Sequence, residues 1–330
     1  MKPFAYLRPT GLPEAVAAHG GRPGSRYLGG GTNLVDLMKL GVEAPDTLVD
    51  LTGLPLASVE ETSDGGLRIG SGVRNATLAS HPLVRTRYPV LAQAVLAGAS
   101  AQLRNVATTG GNLLQRTRCP YFQDVAKPCN KREPGSGCGA RDGSHRDHAV
   151  LGHSPQCIAT HPSDLAVALA VLDASVELHG PDGTRSVPAA AFHRLPGEHP
   201  ERDTVVEPGE IVTAVLLPPE TAGLPCRYRK ARDRASYAFA LASVAALLDI
   251  ADGRVRRVAL AFGGLAHRPW RASAAEELLR GADPTETAVR QAVEAELAGA
   301  QPLRDNAYKV PLARNLACDV LLALARAARS

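Results

Sequence analysis

From residue 116 to Cys157 the sequence loses the apolar periodicity that marks helices and strands elsewhere in the chain. Pro, Gly, Arg and Asp dominate there, and four of the six cysteines, Cys119, Cys129, Cys138 and Cys157, fall within 39 residues. A segment of that composition has too few apolar residues to fold around a core of its own, and long loops inside compact domains are uncommon and tend to be functional. Something other than a hydrophobic core must hold it. The spacing C-x9-C-x8-C-x18-C lacks the close cysteine pairs of zinc knuckles. Four thiolates also hold [4Fe-4S] clusters, around which a long loop can wrap, and disulfides form in exported proteins. Spacing alone leaves cluster, zinc and disulfides open.

On either side the ordinary signals return. "SRYLGGGTNLVDLMKLG" reads as strand, glycine turn and short helix, with Asn33 as the helix cap, and "DTLVDL" as a further strand. "LRIGSGV" is strand-like, "HPLVRTRYPVLAQAVLAGA" reads as helix, and "ATTGGNLL" is a second glycine turn. After the cysteines comes a helix capped near Ser163, then a hairpin turning at "PDG". From about residue 225 strands joined by a "DG" turn give way to three helical segments, the first capped at Ser273 and the second at Asp283. Cys318 lies on an apolar helical face and reads as packing, and Cys226 stands alone. A boundary is expected near residue 220, in "LLPPETAGLP".

The 330 residues exceed what one core usually serves, so two or three structural units are expected. The 37 basic and 33 acidic residues leave a formal charge of only +4, with no long basic run, which argues against a nucleic-acid partner. The first residues carry no signal-peptide pattern and no twin arginine, and no stretch reaches the roughly 18 apolar residues of a membrane span. The expectation is a cytoplasmic chain, or a periplasmic one if it is exported folded with a signal-bearing partner. Synthesis in a reducing compartment ranks metal or cluster ligation above disulfides. None of the ten histidines falls in a metal-binding spacing, and His145, His148, His153 and His161 read as solvated loop residues. No catalytic acid-base pair is expected.

The two glycine turns share one chemistry. "GGGTN", Gly29 to Asn33, lets backbone N–H groups converge with no Cβ in the way, and a helix N-terminus follows, a combination suited to an anionic group such as a pyrophosphate. Leu34 stands where a dinucleotide fingerprint needs its third glycine. "ATTGGN", Ala107 to Asn112, adds the hydroxyl and amide groups of Thr108, Thr109 and Asn112. Two such loops point to a large phosphate-bearing cofactor without naming it.

"GGGTNLVDLMKLG", "ATTGGN", "PSDLAVAL", "PGEIVTAV" and "YRKARDRASYAFALASVA" together name it by resemblance. Their order and spacing resemble FAD-binding subunits of the xanthine dehydrogenase and molybdenum hydroxylase family over essentially the whole chain. The resemblance implies an α+β fold. A two-part FAD-binding domain of the PCMH or vanillyl-alcohol-oxidase type would span residues 1–222. An antiparallel-sheet-plus-helices domain of the CO dehydrogenase flavoprotein C-terminal type would span 223–330. It also implies a flavin site. Arg26, Tyr27, Leu28, Gly29, Gly30, Gly31, Thr32, Asn33 and Leu34 would form the pyrophosphate turn, with Thr108, Gly111 and Asn112 around the phosphates and ribityl chain. Asp164 would accept cofactor hydroxyls, Val212 would border the flavin, and Lys230 would lie near the isoalloxazine.

Family members ordinarily have a short link between the asparagine of the second turn and the aspartate, whereas here 51 residues separate Asn112 from Asp164. The four cysteines lie in this insertion, about residues 113–163. "NLLQRTRCPYF", "PCNKR" and "PGSGC" resemble the insertion of the family's bacterial periplasmic aldehyde oxidoreductase branch, which carries a [4Fe-4S] cluster, so that resemblance makes Cys119, Cys129, Cys138 and Cys157 the ligands. Arg116, Arg118, Lys127, Lys131 and Arg132 are available to offset cluster charge, although exposed loop residues account for each more simply. Nothing in the chain resembles a molybdopterin site or a plant-type [2Fe-2S] motif. The implied role is an electron-transfer subunit of a heterotrimeric aldehyde oxidoreductase. A molybdenum-cofactor large subunit and a [2Fe-2S] small subunit would be its partners, and the external acceptor stays open. The rivals are a self-sufficient FAD oxidoreductase and a docking subunit with a zinc-bound insertion.

Overall fold

A computed structural model describes residues 1–328, so the last two residues of the expected C-terminal domain lie outside it. Three sheets organise the chain. The first is parallel, with β1 (Ala5–Leu7), β2 (Ser25–Leu28) and β3 (Thr47–Asp50) in the order β1-β3-β2. The second comprises β4 (Val59–Glu61), β5 (Leu67–Gly70), β6 (Ser175–Gly180), β7 (Gly183–Pro188) and β8 (Ile211–Leu217), antiparallel in the order β4-β5-β8-β6-β7. The third, β9 (Cys226–Ala231), β10 (Ala242–Ala251), β11 (Arg254–Gly263) and β12 (Trp270–Arg271), is antiparallel in the order β12-β11-β10-β9. The mixture of helices and sheets is the α+β organisation expected.

The helix Asp164–Val171 joins these parts. Its sequence, DLAVALAV, is buried at every position, as a helix apolar all round must be. It packs on the helix Pro89–Ala97 and on β10 and β11. Strand alternation gives β10 two buried faces: Ala245 and Leu247 join the core around that helix, while Val244, Ala246 and Leu248 face the C-terminal helices. The long helix Lys309–Ala327 covers the second face, and Cys318 is buried there as packing.

Local expectations fail where side chains find better partners. The single helix expected after His81 breaks into Pro82–Arg87 and Pro89–Ala97, because Pro89 supplies no N–H and restricts Tyr88 before it. Asn33 makes no capping bond; its Oδ1 instead accepts from the Arg116 backbone N–H at 2.9 Å. Ser273 is the first helical residue rather than a cap, and Glu276 turns to the Leu260 N–H and Arg271. Thr285, not Asp283, caps the helix Glu286–Leu297 by accepting from Ala288 N.

The insertion departs most from expectation. It holds the short helices Pro120–Gln123 and Gly139–Asp142, an isolated antiparallel bridge between Cys129 and Cys138, and another between Ser154 and Cys157. Phe122 and Cys129 form a small core with Leu37, while Val150 and Leu151 join the core of the C-terminal domain. Backbone bonds from Val150 N and Leu151 N to Leu265 O, and from His161 N to Ala266 O, stitch it beside the end of β11. The apolar residues are few, but they borrow a core from both neighbours. No helix among the described residues is long and apolar enough to cross a membrane.

Candidate functional site

β2 delivers the first glycine turn directly against the second. A Cβ on Gly30 would lie 2.1 Å from the Val106 carbonyl oxygen, and one on Gly29 would lie 2.9 Å from Thr108 Oγ1. Gly31 has φ +71°, a left-handed conformation open to glycine at little cost. The second turn is fixed from below. Thr108 Oγ1 accepts from Gly111 N at 3.1 Å, Gly110 N donates to Ser71 O, and Thr109 donates through both N–H and hydroxyl to Val73 O. Glycine is therefore required at 30 because backbone occupies the space a side chain would need, and favoured at 29 because the Thr108 side chain lies there.

Asp164 opens the central helix, capped by Ser163, whose Oγ accepts from Ala166 N at 3.0 Å and donates to Asn112 Oδ1 at 2.7 Å. The Asp164 carboxylate accepts from Lys230 Nζ at 2.7 Å and from the Tyr228 hydroxyl. Tyr228 and Lys230 are two apart on β9 and so share a face. Burial, then the charge of Asp164, holds the Tyr228 hydroxyl well above the usual phenol range, so it remains a donor.

A cleft of about 660 Å³ runs between the turns, the insertion and the loop that joins β9 to β10. Of the sequence-predicted flavin residues, Thr32, Asn33, Gly111, Asn112 and Asp164 line it. Gly29 and Gly30 pack behind it against the second turn, beside Gly31 and Thr108. Arg26 instead pairs with Glu43, the Tyr27 hydroxyl donates to Gly209 O, and Leu28 and Leu34 bracket the turn. Val212 is buried on β8 opposite Leu178, away from the cleft wall. Lys230 also stands behind the wall, its ammonium spent on Asp164 and Ala97 O.

Six residues lining the cleft carry buried polar atoms with no protein partner among the described residues: Asn33 Nδ2, Asn75 Oδ1, Arg118 Nε, His148 Nδ1, His161 Nε2 and Ser243 Oγ. Buried polar groups are ordinarily satisfied. Burial lowers the affinity of Arg118 for its proton, and its guanidinium stacks over Phe239 with 5.0 Å to the ring centroid. An elongated polar ligand that carries anionic groups and hydroxyls fits these donors and acceptors and the glycine-backed turns.

The four clustered cysteines line one small cavity together with Phe122, Asn130 and Ala159, and none of them forms a disulfide. Among the described residues no three His, Cys, Asp or Glu side chains are placed to share a single metal ion. Burial pushes the Cys119 thiol up to about 12 and the Cys157 thiol to about 11, so thiolates here need a cation to stabilise them. The donor set, four sulfurs around one void with no carboxylate, fits a soft polynuclear group. Thr117 and Cys119 line this cavity and the larger cleft alike, so one wall separates them.

His145, His148 and His161 depart from the solvated reading. His145 and His148 are buried. His148 Nε2 lies 3.1 Å from Cys119 Sγ, and His267 Nε2 lies 3.2 Å from Cys157 Sγ. The His161 and His193 rings meet at a tilt with centroids 4.0 Å apart, whereas His153 Nε2 meets Gln301 O at 2.8 Å in an exposed contact. Nor is Lys131 an exposed loop cation: it is buried and paired with Asp203, which also accepts from Arg116 Nε at 2.8 Å. Sequence reading missed Arg118 as a cleft residue, and Tyr228 and His267 altogether. Tyr228 was signalled by its spacing from Lys230, whereas nothing local marks His267, which lies 110 residues from Cys157.

Comparison with known proteins agrees with this architecture. Residues 2–220 match the family described as FAD binding domain in molybdopterin dehydrogenase, and residues 227–324 the CO dehydrogenase flavoprotein C-terminal domain. The chain is 53% identical to the aldehyde oxidoreductase FAD-binding subunit PaoB of Escherichia coli, covering 97% of this chain and 98% of that one. It is 28% identical to the glyceraldehyde dehydrogenase medium chain of Sulfolobus acidocaldarius, covering 84% and 81%. A solved structure of carbon monoxide dehydrogenase from Hydrogenophaga pseudoflava superposes with a TM-score of 0.77 at 27% identity, covering 98% of this chain and 97% of that one.

Proposed function

The chain belongs to the FAD-binding family of the molybdopterin dehydrogenases, and from that premise we propose that it is the electron outlet of a molybdenum-dependent aldehyde oxidoreductase. Its FAD lies in the cleft that the two glycine turns back, and a [4Fe-4S] cluster is held by Cys119, Cys129, Cys138 and Cys157. Its partners are a large subunit carrying the molybdenum cofactor and a small subunit carrying [2Fe-2S] clusters, and electrons leave to an external acceptor. Residues 1–222, with the insertion at 113–163, form the flavin domain, and 223–330 the C-terminal domain. The observation that carries this reading is the convergence of four free cysteines on a cavity that shares Thr117 and Cys119 with the flavin cleft.

A bound flavin would supply a carrier that takes up electrons in two one-electron steps and passes them on, and a bound cluster would supply a one-electron carrier. The chain's own part is placement. Gly29, Gly30, Gly31, Thr32 and Asn33 would present backbone and amide donors to the diphosphate, with Thr108, Gly111 and Asn112 from the facing turn. Arg118 would offset its charge. Asp164, fixed by Lys230 and Tyr228, keeps acceptor capacity for cofactor hydroxyls. Arg118 and Phe239, in cation–π contact, both line the cleft. The ion pairs of Asp203 with Lys131 and Arg116 fasten the insertion to the flavin domain.

The test is anaerobic mixing with an aldehyde. In the assembled complex the flavin absorbance near its visible maximum bleaches, whereas the chain alone, loaded with flavin, does not respond. Bleaching of the isolated chain by aldehyde contradicts the assignment, because substrate chemistry would then reside here.

A further inference from the structure

Two imidazoles that cysteine ligation does not use contact cysteines lining the cluster cavity. His148 Nε2 is 3.1 Å from Cys119 Sγ and His267 Nε2 is 3.2 Å from Cys157 Sγ, each within hydrogen-bonding range of sulfur. We propose that His148 and His267 are positioning residues for the cluster, each holding an Nε2–H against one ligating sulfur and so raising the cluster's reduction potential. The inference rests on the cluster reading given above.

Three observations carry it. First, in both rings Nδ1 is buried and meets no protein partner among the described residues, so Nε2 alone is engaged. A ring lone pair aimed at a thiolate would repel its lone pairs, which places the hydrogen on Nε2. Second, both rings are fixed from outside the insertion. The His148 carbonyl accepts from Lys309 Nζ at 3.0 Å and Asn306 Nδ2 at 3.3 Å, both from the C-terminal domain. His267 itself follows β11, beside Leu265 and Ala266, whose carbonyls hold the insertion backbone. Third, the two bonds reach different cysteines, and Cys119 and His148 also line the flavin cleft. Hydrogen bonds to cluster sulfurs withdraw negative charge and favour the reduced state.

The test uses the assembled complex, purified anaerobically, with an EPR-monitored redox titration of the four-iron signal. His148→Met and His267→Met remove the donor at similar volume, and His148→Gln and His267→Gln keep an N–H. Each Met variant is expected to shift the ratio of reduced to oxidised cluster about tenfold toward oxidised at a fixed potential, equivalent to about 59 mV for one electron. The Gln variants recover most of that shift, and His267→Met leaves the flavin potential unchanged. If a Met variant loses iron, the wild type is measured by resonance Raman before and after exchange into D2O. Iron–sulfur bands that shift on exchange support the bonds, and bands that stay fixed overturn them. An iron-loaded wild type whose potential matches both Met variants also overturns the histidine assignment. A wild type without iron and sulfide refutes the cluster reading itself.

Discussion

Lys230 and Asp164 form an ion pair of 2.7 Å with side chains only 3% and 8% exposed, joining β9 of the C-terminal sheet to the helix that opens behind the cleft. Removing one partner of such a pair leaves a buried charge unpaired, which costs about 3–5 kcal/mol. Lys230→Met is therefore expected to lower unfolding stability by about 3 kcal/mol and to loosen the flavin. The double variant Lys230→Met/Asp164→Asn should regain a large part of the stability, because the stranded charge is gone. Denaturant unfolding of the four members of the cycle checks this. If Lys230 acted on the flavin ring directly, its substitution would move the flavin potential and leave stability in place.

Gly30→Ala drives a methyl group into the Val106 carbonyl, 2.1 Å from its ideal position, so the two turns must separate. Flavin affinity is expected to fall more than about tenfold, a loss of at least 1.4 kcal/mol. Gly53→Ala is the control, since nothing lies within 4 Å of the added atom. Fluorescence titration of the flavin-free chain with FAD measures both. Equal affinities would show that close approach of the turns does not shape the site.

Asp203 gives the insertion an acid-sensitive fastening. Burial alone would raise its carboxyl, but Lys131 and Arg116 outweigh that and hold it well below the usual carboxylate range. A depressed folded value means that the stabilisation is complete above about pH 4 and is lost as pH falls through the folded value. Thermal unfolding between neutral pH and about pH 3 should show the onset of this loss, and Asp203→Asn should flatten that limb while lowering stability at pH 7. An unchanged acid limb in the variant would remove Asp203 from the account.

Lys309 is fully buried and donates to three carbonyls, Asp147 O at 2.8 Å, His148 O at 3.0 Å and Gly264 O at 2.8 Å. It ties the insertion to the end of β11. Lys309→Met strands these acceptors, with an expected loss of about 3 kcal/mol and partial loss of iron from the purified complex. Arg146 and Asp233 make a bidentate pair across the same region but are half exposed, so Arg146→Ala should cost less than about 1 kcal/mol. Unfolding curves rank the two contacts, and a reversed order would contradict the anchoring role of Lys309.

Much of the site was legible because its demands are local. Glycines at 29 to 31 and 110 to 111 announce close packing of the two turns, and four cysteines in a core-poor segment mark the residues that come to line one cavity. The helix from Asp164, with Ser163 as its cap, follows from composition alone. What escaped depends on distant partners. Asn33 looks like a cap until Arg116 arrives from 83 residues away. His148 looks solvated until Lys309 and Asn306 draw its backbone inward. His267 carries no signal beside it, because its relation to Cys157 exists only once β11 is folded against the insertion. Lys230 shows the same limit, since its sequence position does not reveal that Asp164 takes its charge.

The most direct measurement is an anaerobic visible spectrum, with flavin, iron and acid-labile sulfide assays, on wild type and Cys129→Ser. Wild type is expected to carry one flavin, four irons and four sulfides per chain, as a [4Fe-4S] centre with four cysteine ligands requires, and the variant to keep flavin while losing the broad cluster absorption. Full iron in Cys129→Ser, or zinc in place of iron in the wild type, would contradict the account.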